Sequence, residues 1–254
     1  MTHGRIFYTG AASATLRPGL LRYKNALHFF RPATLRVSGP LTRQQSLAHL
    51  PIKRNNVNIK IMEQLEEIKD FAKKNSVPIL KDDSSEFICN YIKEHNCKNI
   101  LEIGTAIGFS SIKFAKVAPD VHVTTIEIDI DRHNQAVQNI SDNNLSSQIT
   151  AIWGDATQYN LQGSFDLIFI DAAKAQYIKF FEKYKENLSA DGVIISDNLS
   201  FHGMVEDLSL TKNDSTIRLV KKIRKYIDFL KNNTEFHTDF YDFGDGISVS
   251  KKIK

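Results

Sequence analysis

Five apolar stretches of the sequence each end in a residue that can bind a ligand or take part in chemistry. The residues at those ends are Gly104, Glu127, Asp155, Asp171 and the pair Asp197–Asn198. The carboxyl ends of parallel strands lie along one edge of a sheet, and ligands bind at that edge. A single charged residue after a strand often only caps a helix. Five consecutive strand ends with a carboxylate or a glycine instead predict a binding site.

The last two of these ends offer oxygen ligands. Asp171, Asp197 and Asn198 supply two carboxylates and one amide oxygen. Such hard donors suit Mg²⁺, whose remaining positions are taken by waters or by substrate oxygens. Lys174 follows Asp171 by one helical turn and could point toward the same centre, although a solvated surface lysine would have the same spacing. We therefore predict a divalent-cation site with a lysine beside it.

The first strand end has the form of a nucleotide-binding loop. A short apolar run reaches Gly104, and Gly108 follows just before a helical pattern. Glycine allows positive φ and close approach of a ligand, and the N–H groups of a helix start favour a polar group. A dinucleotide fingerprint would have glycine where this chain has Ala106, so NAD and FAD are disfavoured, whereas S-adenosylmethionine has no phosphate to accommodate. Glu127 lies about 20 positions on, where an acid for ribose hydroxyls is expected.

Alternating strand and helix patterns set the fold class. The pattern predicts an α/β fold with a doubly wound, mainly parallel seven-stranded sheet, Rossmann-like, that ends in an antiparallel hairpin around Gly244-Asp245-Gly246. The predicted strands are 100–103, 121–127, 149–153, 165–170, 192–196, 236–243 and 247–250. The predicted helices are 58–75, one marked by Phe87, Ile88, Tyr91 and Ile92 and capped by 82–85, then 108–118, 131–143 with Ala136, Val137 and Ile140 inward, 176–188 and 215–232.

Charge divides the chain into two parts. Residues 1–62 carry ten Lys and Arg but no Asp or Glu, so all 29 acidic residues lie in the rest. We predict that residues 1–55 are a poorly ordered basic leader or extension and that 56–254 form the folded domain. A targeting presequence, an extension without a role in the fold and a basic arm that contacts nucleic acid all remain open.

Composition also bounds the location. The sequence has no apolar run of 18 residues, which argues against a membrane span. Cys89 and Cys97 are the only cysteines, too few for a disulfide framework. We predict a cytoplasmic protein, with organellar targeting by residues 1–55 left open.

Taken together, five motifs resemble the metal-dependent class I O-methyltransferases, the group that includes catechol and caffeoyl-CoA O-methyltransferases. They are LEIGTAIGFSS (101–111), the acid Glu127, GDA (154–156), FIDAAKAQY (169–177) and SDN (196–198). GTAIG, DAAKAQY and the DN-x-x-F-H-G continuation at 197–203 look closest to the bacterial tRNA 5-hydroxyuridine methyltransferase branch. The resemblance covers about residues 55–254 and does not reach the basic head.

This resemblance implies a role for each matching residue. Asp171, Asp197 and Asn198 would bind Mg²⁺ or another divalent cation, and Lys174, beside Asp171, would be the catalytic base. The residues implied to contact or shape the site of S-adenosylmethionine are Leu80, Glu102, Gly104, Gly108, Ser110, Glu127, Ile128, Asp155, Ala156 and Asp171.

The implied activity is methylation of 5-hydroxyuridine to 5-methoxyuridine at the wobble position of tRNA, with the anticodon loop as partner and a homodimer as the expected assembly. A small-molecule O-methyltransferase that acts on hydroxylated aromatics, an NAD(P)-binding oxidoreductase and a non-catalytic RNA-binding protein remain alternatives. The helix 215–232 carries six basic residues against Asp228 alone, which fits either an RNA-binding face or an ordinary solvated face.

Overall fold

The computed structural model describes residues 52–254, with side chains from residue 63 onward. These residues belong to the unit His49–Lys254, one of two into which the chain divides. The predicted leader, residues 1–55, lies almost wholly outside the described residues, and its role stays a prediction. Within the described part of the chain, no helix is long and apolar enough to cross a membrane.

Seven strands and six α-helices make up the described domain. The strands are β1 (Asn99–Ile103), β2 (His122–Glu127), β3 (Ile149–Trp153), β4 (Phe165–Ile170), β5 (Leu188–Ser196), β6 (Phe236–Tyr241) and β7 (Ile247–Lys252). The helices are α1 (Ile52–Lys74), α2 (Asp82–Glu94), α3 (Phe109–Ala115), α4 (Ile130–Asp142), α5 (Tyr177–Tyr184) and α6 (Asp214–Lys231). Short 3₁₀ turns lie at Lys174–Gln176, Lys185–Asn187 and Leu208–Leu210.

The sheet confirms the predicted architecture. Its strand order is β3-β2-β1-β4-β5-β7-β6. The first five strands pair in parallel, and β7 pairs antiparallel with both β5 and β6. The strand order reverses between the neighbouring strands β1 and β4: β2 and β3 lie on one side, and the later strands lie on the other. Ligands of doubly wound sheets bind at such a switch point.

Helices cover both faces of the sheet, which explains the continuous apolar runs in its central strands. In β4, Leu167 and Phe169 pack on the face covered by α2 and α3, whereas Ile168 and Ile170 pack on the face covered by α5 and α6. All four side chains are fully buried. The strands are therefore fixed from both sides, and the loops at their carboxyl ends start from rigid positions.

Several predicted details were wrong. Residues 82–85 do not cap α2: Asp82 is its first residue and Lys81 its N-cap, without a side-chain capping bond. Ser84 is instead buried and donates a hydrogen bond to Asp197, 3.2 Å away. Val137 was expected to face inward but is 45% exposed, because the inward stripe of α4 is narrower than the apolar pattern suggested. The helix that follows the glycine loop, α3, ends at Ala115, three residues before the expected end near residue 118.

Gly104 offers a test of how closely the end of β1 packs against β4. A Cβ at Gly104 would lie 2.2 Å from the carbonyl oxygen of Asp171, and its φ is +103°. Gly163 has a similar φ of +112° but open space around it. We expect Gly104→Ala to lower the melting temperature by about 5 °C or more beyond Gly163→Ala, because only the first substitution adds a backbone clash to the φ strain. Equal shifts in thermal unfolding would contradict this packing.

Candidate active site

A cavity of about 630 Å³ opens at the carboxyl ends of β1 to β5. Eleven of the thirteen predicted site residues line it: Leu80, Gly104, Ser110, Glu127, Ile128, Asp155, Ala156, Asp171, Lys174, Asp197 and Asn198. The other two, Glu102 and Gly108, are absent from its wall. The structure thus brings most of the predicted set into one place.

The hydrogen-bond ladder of the sheet continues one step past the strand ends. Four residues that directly follow a strand donate their backbone N–H to a carbonyl oxygen near the end of the neighbouring strand. The bonds run from Gly154 to Glu127 (2.8 Å), Gly104 to Ile126 (3.0 Å), Asp171 to Ile103 (3.0 Å) and Asp197 to Ile170 (3.3 Å). Backbone bonds of this kind leave little freedom at either end. The functional side chains therefore leave the backbone from positions that the sheet itself sets.

Glu102 lies beneath the glycine loop instead of in the cavity. Its carboxylate is fully buried and accepts hydrogen bonds from the hydroxyls of Ser110, Ser111 and Thr125. Burial raises the pKa of Glu102 to about 7, although the three hydroxyls oppose that shift. Glu102 therefore shapes the loop from below, by tying the start of α3 to β1 and β2.

Gly108 also acts through packing. It is the N-cap of α3 with φ +83°, and a Cβ there would lie 3.3 Å from the Cβ of Ala136 on α4. A side chain at this position would have to adopt a disfavoured backbone conformation and push α4 away. The glycine is thus needed for the close approach of two helices.

Glu127 fastens the same loop from the cavity side. One of its carboxylate oxygens accepts from the backbone N–H of Ala106 (2.8 Å) and the other from that of Asp129 (2.9 Å). Ala106 has a left-handed φ of 47°, which this bond helps to hold. A carboxylate has about four acceptor positions, so Glu127 keeps capacity for two hydroxyl groups of a ligand.

The turn after β3 forms the neighbouring wall. Asp155 accepts hydrogen bonds from the backbone N–H and hydroxyl of Thr157 (both 2.8 Å), and these bonds hold its pKa below its usual range. Ile128 is 65% exposed although it is apolar, and both Ile128 and Ala156 line the cavity. An exposed isoleucine in a concave site is suited to the flat face of a ring.

Two carboxylates meet on the part of the cavity wall that follows β4 and β5. Asp171 and Asp197 are bridged by the amide group of Asn198, whose nitrogen lies 3.2 Å and 2.9 Å from one oxygen of each. The Nζ atom of Lys174 lies 3.7 Å from Asp171. Asn198 adopts a left-handed φ of 66°, a conformation that asparagine tolerates better than most residues.

The charge of this cluster fits a cation. Burial raises the pKa of Asp171, and it raises that of Asp197 to about 7, where the charge of Asp171 adds to the effect. Among the described residues no group of three or more His, Cys, Asp or Glu side chains is arranged for a metal, so an ion would depend on the amide oxygen of Asn198 as third donor. A half-turn of that amide exchanges its nitrogen for its oxygen. Two acids and one amide oxygen suit a hard divalent cation.

Three further cavity residues were missed by the sequence analysis. Lys81, His202 and Asp245 line the same cavity and contact one another through the Asp245 carboxylate. The only signals in the sequence were the histidine in the 197–203 motif and the acid in the hairpin turn, which was read as turn chemistry alone. Their sequence separation gave no indication that they meet.

Most of the chain matches a family of known proteins. A family described as O-methyltransferase matches residues 55–253. The chain is 35% identical over 145 residues to a catechol O-methyltransferase of Niastella koreensis. The aligned segment covers 54% of this chain and 63% of that protein.

Two solved structures share the fold. A "putative caffeoyl-CoA O-methyltransferase" from Staphylococcus aureus is 36% identical with a TM-score of 0.72 and covers 80% of this chain and all of that one. An O-methyltransferase from Bacillus cereus in complex with S-adenosylhomocysteine is 25% identical with a TM-score of 0.65 and covers 75% of this chain and 91% of that one.

The buried Glu102 should make stability depend on pH. Its pKa is about 7 in the folded protein and 4.5 in a free side chain. The folded state therefore holds this proton more tightly, and the resulting stabilisation is complete below about pH 4.5 and lost as the pH rises through 7. We expect the free energy of unfolding of the wild type to fall relative to that of Glu102→Gln, by up to about 3 kcal/mol between pH 4.5 and 8.

Urea titrations at both pH values measure this difference. Glu94→Gln, at an exposed position of α2, is the matched control and should show none of it. A constant difference between the wild type and Glu102→Gln at all pH values would contradict the raised pKa.

Proposed function

The chain belongs to the O-methyltransferase family and uses S-adenosylmethionine as its methyl donor, and from that premise we propose that it methylates a ring hydroxyl of a small aromatic acceptor with two adjacent oxygens, with the help of a divalent cation. The observation that carries the proposal is the carboxylate pair Asp171 and Asp197, which lies in the same cavity as the glycine loop. Catechol and the caffeoyl group, after which relatives of this chain are named, each have two adjacent ring hydroxyls.

The donor end of the cavity is formed by the loop after β1 and the turns after β2 and β3. In the proposed complex Glu127 accepts hydrogen bonds from the ribose hydroxyls, and Ile128 and Ala156 flank the adenine. Ser110, whose hydroxyl is fixed by Glu102, lies at the methionine end. The walls at Glu127 and Asp155 carry carboxyl groups, which suit a positively charged sulfonium.

The acceptor end is formed by the residues after β4 and β5. Asp171, Asp197 and Asn198 would hold the cation, which when bound lowers the pKa of an acceptor hydroxyl and fixes its direction. Lys174, held near Asp171, is the proposed base that takes the hydroxyl proton. The closeness of both ends in one cavity lets the chain hold donor and acceptor for in-line transfer, which itself contributes much of the rate gain.

A second candidate acceptor is 5-hydroxyuridine at the wobble position of tRNA. Its 5-hydroxyl and 4-carbonyl oxygens are also adjacent, so the same cation site would serve. The observation in its favour is a row of exposed cations on α6, namely Arg218, Lys221, Lys222 and Lys225, for which no ion pair occurs in the described structure. Such a row suits the phosphate backbone of RNA.

The homodimer and the cytoplasmic location stay predictions.

A direct comparison of acceptors tests the proposal. Purified protein with S-adenosylmethionine and Mg²⁺ should methylate catechol, with the product identified by mass spectrometry. Parallel reactions contain tRNA that carries 5-hydroxyuridine, followed by nucleoside analysis. Methylation of the tRNA at a much higher kcat/KM than catechol would replace the first acceptor by the second. No methyl transfer to either would contradict both.

The cation site has its own test. We expect EDTA to abolish methyl transfer and Mg²⁺ to restore it, and we expect Asp197→Ala to lower kcat/KM by at least about 100-fold because an oxygen donor is lost. Binding of S-adenosylhomocysteine, measured by calorimetry, should change little in this variant. Asp70→Ala, at an exposed position of α1, is the control. Full activity in EDTA, or in Asp197→Ala, would remove the cation from the proposal.

A further inference from the structure

We propose that His202 binds the methyl acceptor through its Nε2 atom and that Asp245 is the positioning residue that fixes the ring and its tautomer. The inference rests on the proposed methyl transfer and adds to it a residue that touches the acceptor. Neither residue belongs to the donor loop or to the cation cluster. Both line the wall of the same cavity.

The contacts of Asp245 define one orientation for the histidine. The Nδ1 atom of His202 lies 3.1 Å from the Oδ2 atom of Asp245. The Oδ1 atom of Asp245 accepts from the backbone N–H of His202 (3.1 Å) and lies 3.0 Å from the Nζ atom of Lys81. Asp245 is only 6% exposed, so its carboxylate is a fixed point that holds the backbone and the ring of His202 together.

The backbone around His202 is held in a costly conformation. Phe201 and His202 have φ values of 47° and 59°, in the left-handed region that residues with a side chain rarely adopt. The hairpin turn holds this segment in place, because its carbonyl oxygens at Asp245 and Gly246 accept from the N–H groups of Ser200 (2.6 Å) and Leu199 (3.0 Å). Strain of this kind persists where the surroundings enforce it, and it is common at ligand sites.

The contact with Asp245 determines which ring nitrogen of His202 can accept a hydrogen bond from the substrate. A carboxylate can only accept, so Nδ1 must carry the hydrogen, and in the neutral ring Nε2 then has a free lone pair. The side chain is 59% exposed, and Nε2 has no hydrogen-bond partner among the residues that the structure describes. A lone pair on a side chain that lines the cavity suits a methyl acceptor with a ring hydroxyl or ring N–H to donate.

Two substitutions of His202 separate its two nitrogens. In His202→Asn the amide can still donate to Asp245, as Nδ1 does, but nothing replaces Nε2. In His202→Gln the amide reaches the Nε2 position. We expect His202→Asn to raise the KM for catechol about tenfold, the effect of one lost hydrogen bond, while binding of S-adenosylhomocysteine and the melting temperature stay at wild-type values. His202→Gln should recover part of the loss, because its amide oxygen can accept.

The control is a second histidine–aspartate pair outside the cavity. His237 on β6 lies 3.4 Å from Asp239, and both are exposed. His237→Asn should leave the KM for catechol unchanged. A wild-type KM in His202→Asn overturns the role of His202 alone, whereas absence of methyl transfer in the wild type overturns the proposed function and the inference with it.

Asp245→Asn tests the tautomer. Its amide oxygen can keep the two contacts of Oδ1, whereas its NH₂ group in place of Oδ2 would donate to Nδ1 and move the ring hydrogen to Nε2. We expect this variant to raise the KM for catechol about as much as His202→Asn does, and the double variant to show no further increase, because both changes remove the same hydrogen bond. Additive effects, or a KM unchanged in Asp245→Asn, would show that Asp245 does not act through His202.

Discussion

The arrangement of the site depends on the backbone ladder that runs past the ends of the parallel strands. Gly104, Asp171 and Asp197 each donate a backbone N–H to a neighbouring strand. The sheet therefore fixes the positions at which the loops that line the cavity begin. The carbonyl oxygen of Asp171 occupies the place where a Cβ of Gly104 would be. The glycine of the donor loop thus packs against the backbone of Asp171, whose side chain belongs to the acceptor end, so both ends line one cavity.

Hydrophobic pattern and strand-end chemistry were sufficient to predict the sheet and the polar residues that its strand ends bring to the cavity, whereas Leu80, Ser110 and Ile128 were predicted only from the resemblance to a family. The bounds of β3 and β4 agree with the predicted 149–153 and 165–170, because continuous apolar runs between turn residues leave little ambiguity. Glycine at position 104 was expected to permit a positive φ and the close approach of a ligand, and its φ is indeed +103°. The space that its missing side chain provides is filled by the Asp171 backbone, and no sequence pattern reports what packs against a turn.

The details that could not be predicted depend on contacts between distant segments. Lys81, His202 and Asp245 come from the start of α2, the loop after β5 and the hairpin, and only the folded sheet brings them together. Likewise Ser84 was interpreted as part of a helix cap, but its hydroxyl is directed to Asp197. Local preferences of serine and aspartate for caps compete with such tertiary partners. Polar residues that join two segments are therefore the ones that a linear analysis assigns to the wrong role.

A crystal structure of the protein with S-adenosylhomocysteine and Mn²⁺ would test the central claim most directly, since anomalous scattering locates the ion independently of the protein model. The account predicts one strong anomalous peak within bonding distance of oxygens from Asp171, Asp197 and Asn198, in the same cavity as the bound cofactor product. An ion bound elsewhere, or a cavity that holds S-adenosylhomocysteine while this cluster takes up no Mn²⁺, would contradict the account.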